Sequence, residues 1–242
     1  MPRSPVLLAL DTATSRCSVA LAVAGTIVDA TRDVGQRHTE HLLPMIDELL
    51  AAHAVALDGC DAIAFGAGPG SFTGLRVACG AAQGLAFGVD RPVIAVGNLD
   101  ATALEAFDRI AQAATVCVAV DARMHEVYCA VFARVPTGVR ELAAPALAAP
   151  ADVVTLAERF GADALAGNAL VAYAEELARF GGTKLADVQA GARSIARLAL
   201  VALEEGRAVA PAAAAPVYVR NRVALTVDER RAGDTRLAQG HA

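Results

Sequence analysis

The stretch Gly68-Pro69-Gly70-Ser71-Phe72-Thr73-Gly74 is the part of this chain best suited to chemistry. It follows the apolar run Asp61–Gly66 and opens a segment of helical period. Strand, glycine loop and helix in that order aim backbone N–H groups and a helix's positive end at an anion, so Gly68, Gly70, Ser71 and Thr73 can cradle a phosphate. Ser71 or Thr73 can also cap the helix, and a plain tight turn would need the same glycines. Three established motifs do not fit. No GK[ST] follows for a Walker A, GxGxxG fails by one glycine in each register, and Ser71 stands directly after a glycine, which excludes a nucleophile elbow.

Asp11 and Thr12 close the apolar run Val6–Leu10 at a strand-to-strand turn, where a carboxylate and a hydroxyl can orient Mg²⁺ and a phosphate or can simply shape the turn. His38 and His41 flank Glu40 without HExxH spacing or an evident third ligand, so they read as surface residues near a helix start and no metal site is expected. His125-Glu126 reads as surface too. No Ser/His/Asp or Cys/His set can be assembled, and no catalytic residue is nominated.

The elements that must hold these groups follow from periodicity. Val6–Leu10, Cys17–Ala24 and Thr26–Asp33 predict three consecutive antiparallel strands. Leu42, Leu43, Ile46, Leu49, Leu50 and His53 recur at helical spacing, with Pro44 predicting a kink or a late start. A strand at 61–66, a helix near 72–87, a strand at 92–97 and a helix near 99–112 complete the order βββαβαβα. Val6–Asp11 then aligns without a gap on Val116–Asp121, Val19–Leu21 matches Cys129–Val131, and Asp61–Gly66 echoes Asp163–Asn168. Matches in the same order indicate a duplicated unit, with Asp11 and Asp121 in corresponding turns. The second copy reads as shorter: a hairpin at 115–134, then helices near 152–159, 169–180 and 191–205. Pro136–Pro150 reads as a surface stretch, Val209–Pro216 as a flexible linker, and Asp228–Ala242 as a polar, mobile tail.

Composition narrows the function classes. Acids number 26 against 21 Lys plus Arg, Lys184 being the only lysine, and the net charge of −5 argues against a stand-alone nucleic-acid binder. Hydrophobic residues make up 55% and aromatics 4%, so the core must be built from Ala, Val and Leu. The five cysteines lack a CxxC and read as reduced core residues. The first apolar run is too short for a signal sequence or membrane span, which points to the cytoplasm. Gly80, Gly84 and Gly88 lie four apart on one helix face; each costs up to about 1 kcal/mol against Ala, which calls for a compensating close contact with the protein's own sheet or with a partner helix.

A duplicated unit of this order resembles the actin, sugar-kinase and Hsp70 superfamily. Leu10–Thr14, His38–Pro44, Ala64–Val77, Ala82–Ala86, Val120–Met124 and Pro216–Arg220 are similar to the TsaB (YeaZ) family, over residues 6 to about 230. The resemblance implies an α/β fold of two duplicated actin/Hsp70-like (RNase H-like) lobes, at 1–113 and 114–208, with a C-terminal tail at 209–242. It implies a non-catalytic subunit in making N6-threonylcarbamoyladenosine at tRNA position 37, partnered by the TsaD transferase and the TsaE ATPase, with tRNA engaged indirectly and a homodimer formed when TsaD is absent. TsaD carries metal-binding histidines in a HxxxH segment; here that segment reads Asn98-Leu-Asp-Ala-Thr102, without histidine. The family's partner contact, carried over, falls on Leu42, Ile46, Leu49, Phe72, Arg76, Gly80 and Gly84. Asp11, Thr12, Gly68, Gly70, Ser71 and Thr73 become a vestigial phosphate site with weak nucleotide binding, and no cofactor is required. The alternatives are an independent actin-fold ATP-dependent phosphotransferase using Asp11 and the glycine loop and, more weakly, a protease acting on TsaD.

Overall fold

A computed structural model describes residues 3–219 of the 242-residue chain. Arg220 and the tail Asp228–Ala242 lie outside the described residues. The unbroken apolar runs form central strands, because a strand covered on both faces has no solvent side to show alternation. In the first sheet, β1 (Leu7–Asp11) is buried throughout and lies between β2 (Arg16–Val23) and β4 (Ala62–Gly68), with β3 (Thr26–Asp33) and β5 (Val93–Gly97) at the edges. The β1–β2 and β2–β3 pairs are antiparallel, and β1–β4 and β4–β5 are parallel.

The second sheet repeats this topology with β6 (Thr115–Asp121), β7 (Val127–Val135), β8 (Gly138–Ala148), β9 (Ala164–Ala166) and β10 (Thr183–Leu185), in the order β10-β9-β6-β7-β8. The duplicated two-lobe α/β architecture is therefore present. β8 replaces the surface stretch read at Pro136–Pro150. It is an edge strand, where Pro145 costs little, and irregular register against β7 further masks its pattern.

The ungapped match of the first strands is one residue out. Leu7 pairs with Ala22 as Val116 pairs with Phe132, and Leu8 pairs with Ile63 as Cys117 pairs with Leu165. Asp11, opposite Ser18, thus corresponds to Val120, opposite Tyr128, and Asp121 lies one residue further along. The aspartates that do correspond are Asp61 and Asp163. Each donates its amide to the first strand of its lobe, at Val6 (2.7 Å) and Thr115 (2.9 Å). Each carboxylate accepts an amide back from the same residue, at 2.8 and 3.0 Å.

α1 (His38–Ala52) and α2 (Phe72–Gly88) share one face of the first sheet, and α4 (Pro150–Arg159), α5 (Ala169–Ala172) and α6 (Ala174–Leu177) cover the matching face of the second. The inner faces are covered by exchange. α7 (Ala192–Glu204), which follows the second lobe's strands in sequence, packs on the first sheet, and α3 (Asn98–Arg109), which follows the first lobe's strands, packs on the second. Alanines line the α7 contact on both sides, so the backbones approach closely and few aromatics are needed. All five cysteines are buried and unbridged. No helix among the described residues is long and apolar enough to cross a membrane.

α1 starts at His38 and keeps Pro44 inside, so the late start does not occur. The helix read over 169–180 is two short turns broken at Tyr173. Val209–Pro216 is docked rather than a free linker: Val209 bridges Val93, a 3-10 turn forms at Pro211–Ala213, and Ala214 is buried in the first lobe's core.

Candidate functional site

The glycine loop is held closed by its own neighbours. Ser71 caps α2 by accepting from the Gly74 amide at 3.3 Å, and the Ser71 amide donates to the Ala13 carbonyl at 2.8 Å. The Thr12 hydroxyl donates to the Gly74 carbonyl at 2.7 Å. A Cβ at Gly74 would overlap the Thr12 carbonyl oxygen, and one at Gly70 would press on Ala13. Gly68 has φ +119 and sits against the Val217 carbonyl, a position closed to side chains on both counts. The glycines admit the β1–β2 turn and the C-terminal segment at close range.

Asp11 is 1% exposed. Its Oδ1 accepts from the Asn98 side-chain amide at 2.9 Å and from the Ala13 amide at 3.3 Å. Burial pushes its pKa up to about 6, against the lowering effects of Asn98, the Ala13 amide and the Arg16 charge. Of the residues read as a vestigial phosphate site, Asp11 and Thr12 are buried, Gly68 and Ser71 donate their amides within the protein, and Thr73 is exposed on the first turn of α2. His38 corrects the surface reading: it is buried, with Nε2 2.8 Å from the Thr14 carbonyl. His125 is exposed and lies edge-on to Tyr173. Among the described residues, no group of three His, Cys, Asp or Glu is placed to hold a metal.

The outward face of α2 is different. Phe72, Arg76, Gly80, Gly84 and Gly88 recur every fourth residue and are all exposed. A Cβ at Gly80, Gly84 or Gly88 would meet nothing within 4 Å, so the stripe does not serve packing on the protein's own sheet. Phe87 beside it is 81% exposed. At the other end the Arg76 guanidinium stacks on Phe72 at 3.9 Å and donates to the Tyr218 hydroxyl at 3.2 Å, while Tyr218 packs on Phe72 at 5.6 Å. Gln83 ties the C-terminal segment to the helix flank through the carbonyls of Pro211 and Ala214.

α1 requires a correction. Leu42, Ile46 and Leu49, read as partner contacts, form the buried side of the helix at 2, 1 and 8% exposure. Its outward side carries Leu43, which is 49% exposed, with Pro44 and Asp47. The apolar stripe of an amphipathic helix belongs to its own core, and Leu43 stands at the rim of that stripe, where it is exposed. Asn98, Phe87 and Tyr218 were also missed. A polar residue closing the apolar segment Val93–Gly97 was the sign that Asn98 has partners inside.

A family model described as TsaD, tRNA N6-adenosine threonylcarbamoyltransferase, matches residues 30–219. The tRNA threonylcarbamoyladenosine biosynthesis protein TsaB of Escherichia coli K12 is 36% identical over 223 residues, covering 90% of this chain and 96% of that protein. TsaB of Haemophilus influenzae is 55% identical over 122 residues, covering 50% of this chain and about half, 51%, of that relative's length. The solved structure of YeaZ from Pseudomonas aeruginosa superposes with a TM-score of 0.79 at 37% identity, covering 88% of this chain and 99% of that one. A second structure, of an uncharacterized Pseudomonas aeruginosa protein with similarity to peptidase YeaZ, gives a TM-score of 0.83 at 39% identity, covering 89% of this chain and 100% of that one.

Proposed function

Since the chain belongs to the TsaB (YeaZ) family, we propose that it serves tRNA threonylcarbamoyladenosine biosynthesis as a non-catalytic subunit that docks a TsaD-like transferase on the outward faces of α1 and α2. The observation that carries this reading is the stripe Phe72, Arg76, Gly80, Gly84, Gly88: the glycines cost helix stability, nothing among the described residues fills the space above them, and an approaching helix would. Phe72, Arg76 and Tyr218 supply the aromatic and guanidinium anchor on which interface energy concentrates, and Leu43 and Phe87 extend the apolar area. The partner-binding unit is the first lobe, 1–113, completed on its inner face by α7.

The same surface pairs two copies when the transferase is absent, and a TsaE-like ATPase joins through the assembled complex. tRNA is engaged by the partner, in keeping with the net charge of −5. A non-catalytic role is supported by the inward engagement of Asp11 and Thr12 and by Asn98 and Thr102 standing where TsaD has histidines. The work site is the cytoplasm.

Gly84→Leu separates this reading from a structural role for the glycines. A leucine there meets open space and a better helix former, so the variant should melt no lower than wild type while its affinity for a TsaD-like protein falls about tenfold or more. Undiminished binding would refute the assignment, as would threonylcarbamoyl transfer by the purified chain alone.

A further inference from the structure

Asn98 is the first residue of α3, a helix that packs on the second sheet, yet its side chain bonds to β1 and β4 of the first sheet. Its Oδ1 accepts from the Gly68 amide at 2.6 Å and its Nδ2 donates to Asp11 Oδ1 at 2.9 Å. The two neighbours dictate that orientation, since an amide N–H needs the oxygen and a carboxylate needs the NH₂. The residue is 4% exposed, and its backbone carbonyl accepts from the Thr102 hydroxyl at 2.8 Å.

Two arms run from this one side chain to the same place. Through Gly68 it holds the start of the glycine loop. Through Asp11, whose carboxylate holds the Ala13 amide, it fixes the turn from which Ala13 accepts the Ser71 amide and Thr12 donates to Gly74. Ser71 and Gly74 are the cap and first turn of α2. The ring closes on the end of the helix that carries Phe72 and Arg76.

We propose that Asn98 is a positioning residue through which α3, packed on the second sheet, holds the first turn of α2, and with it the Phe72–Arg76 end of the partner surface, in one geometry. The partner half of this statement rests on the reading of α2 as the docking helix. The positioning half does not.

Three variants of the full chain test it: Asn98→Ala, which removes both arms, Asn98→Asp, which sets two carboxylates against each other, and Asp11→Asn combined with Asn98→Asp, which exchanges donor and acceptor. In the exchanged pair the amide introduced at position 11 can donate to the carboxylate introduced at position 98, whose second oxygen still accepts from Gly68, while the Ala13 amide loses the acceptor it had in Asp11 Oδ1. Hydrogen exchange at pH 8 should be about tenfold faster at the hydrogen-bonded amides of Ser71, Gly74 and Leu75 in the single variants, unchanged across β6 and β7, and slower in the double variant than in Asn98→Asp. Affinity for a TsaD-like protein should follow the same order. Unchanged exchange at Ser71, Gly74 and Leu75 in Asn98→Ala would overturn the proposal, and so would a folded double variant that exchanges no more slowly than Asn98→Asp. If Asn98→Asp does not fold, the alanine and exchanged variants decide the matter. Wild-type chain that does not bind the transferase would instead refute the docking reading, while the exchange pattern would still judge Asn98.

Discussion

Asp11→Asn should make this protein more stable at neutral pH and less stable in acid. Asp11 is buried, and its pKa moves from 3.8 to about 6. A shift of about two units is worth about 3 kcal/mol at roughly 1.4 kcal/mol per unit. The native state binds the proton more tightly than the unfolded chain, so stability is greatest below pH 3.8, falls as pH rises to about 6, and is level above that. Asparagine removes the buried charge and keeps an oxygen for Asn98 and Ala13, but replaces the second oxygen by a donor, at a cost of about 1 kcal/mol. The variant should therefore be about 2 kcal/mol more stable at pH 7.5, or some 4–8 °C in Tm for a chain of this size, and about 0.5 kcal/mol less stable at pH 4. Urea titrations of both proteins from pH 4 to 8 measure the difference directly. Burial also raises Asp100 to about 6, but that group is common to both proteins and cancels. A difference that does not change with pH, or a variant weaker than wild type at pH 7.5, would refute the assignment of a buried, penalised carboxylate.

Two further substitutions test the geometry of the loop and of α1. Gly74→Ala drives a Cβ into the Thr12 carbonyl and should destabilise the protein by several kcal/mol in urea titration, whereas Gly80→Ala, with nothing within 4 Å, should be neutral or stabilising by up to about 1 kcal/mol; equal effects would contradict the loop packing. Leu42→Ala should cost about 2–5 kcal/mol, while Leu43→Ala should stay within about 0.5 kcal/mol yet weaken binding to a TsaD-like protein, and calorimetry showing the reverse order would restore the buried stripe as the partner face.

Local features were legible without coordinates. The continuous run before Asp11, the helical period after Gly74 and the cap at Ser71 depend on residues a few positions apart, and each became the expected element. The duplication was legible too, although the strand match that suggested it is one residue out, because apolar strands without alternation carry no mark of register. β8 escaped because an edge strand is held by its neighbour rather than by its own pattern.

By itself the sequence determined the two-lobe α/β plan, the glycine loop between β4 and α2, and the likeness to TsaB. Only the tertiary structure decided which side of each helix faces out, and it put Leu42 in the core and Leu43 on the outside of α1. It also decided that α3 and α7 change lobes, that the Asp11 carboxylate meets Asn98 inside the protein, and that the glycines of α2 face open space. Each of these depends on groups far apart in the chain. Whether a glycine admits a neighbour or leaves an open face is set by what folds over it, and nothing within one helix records that.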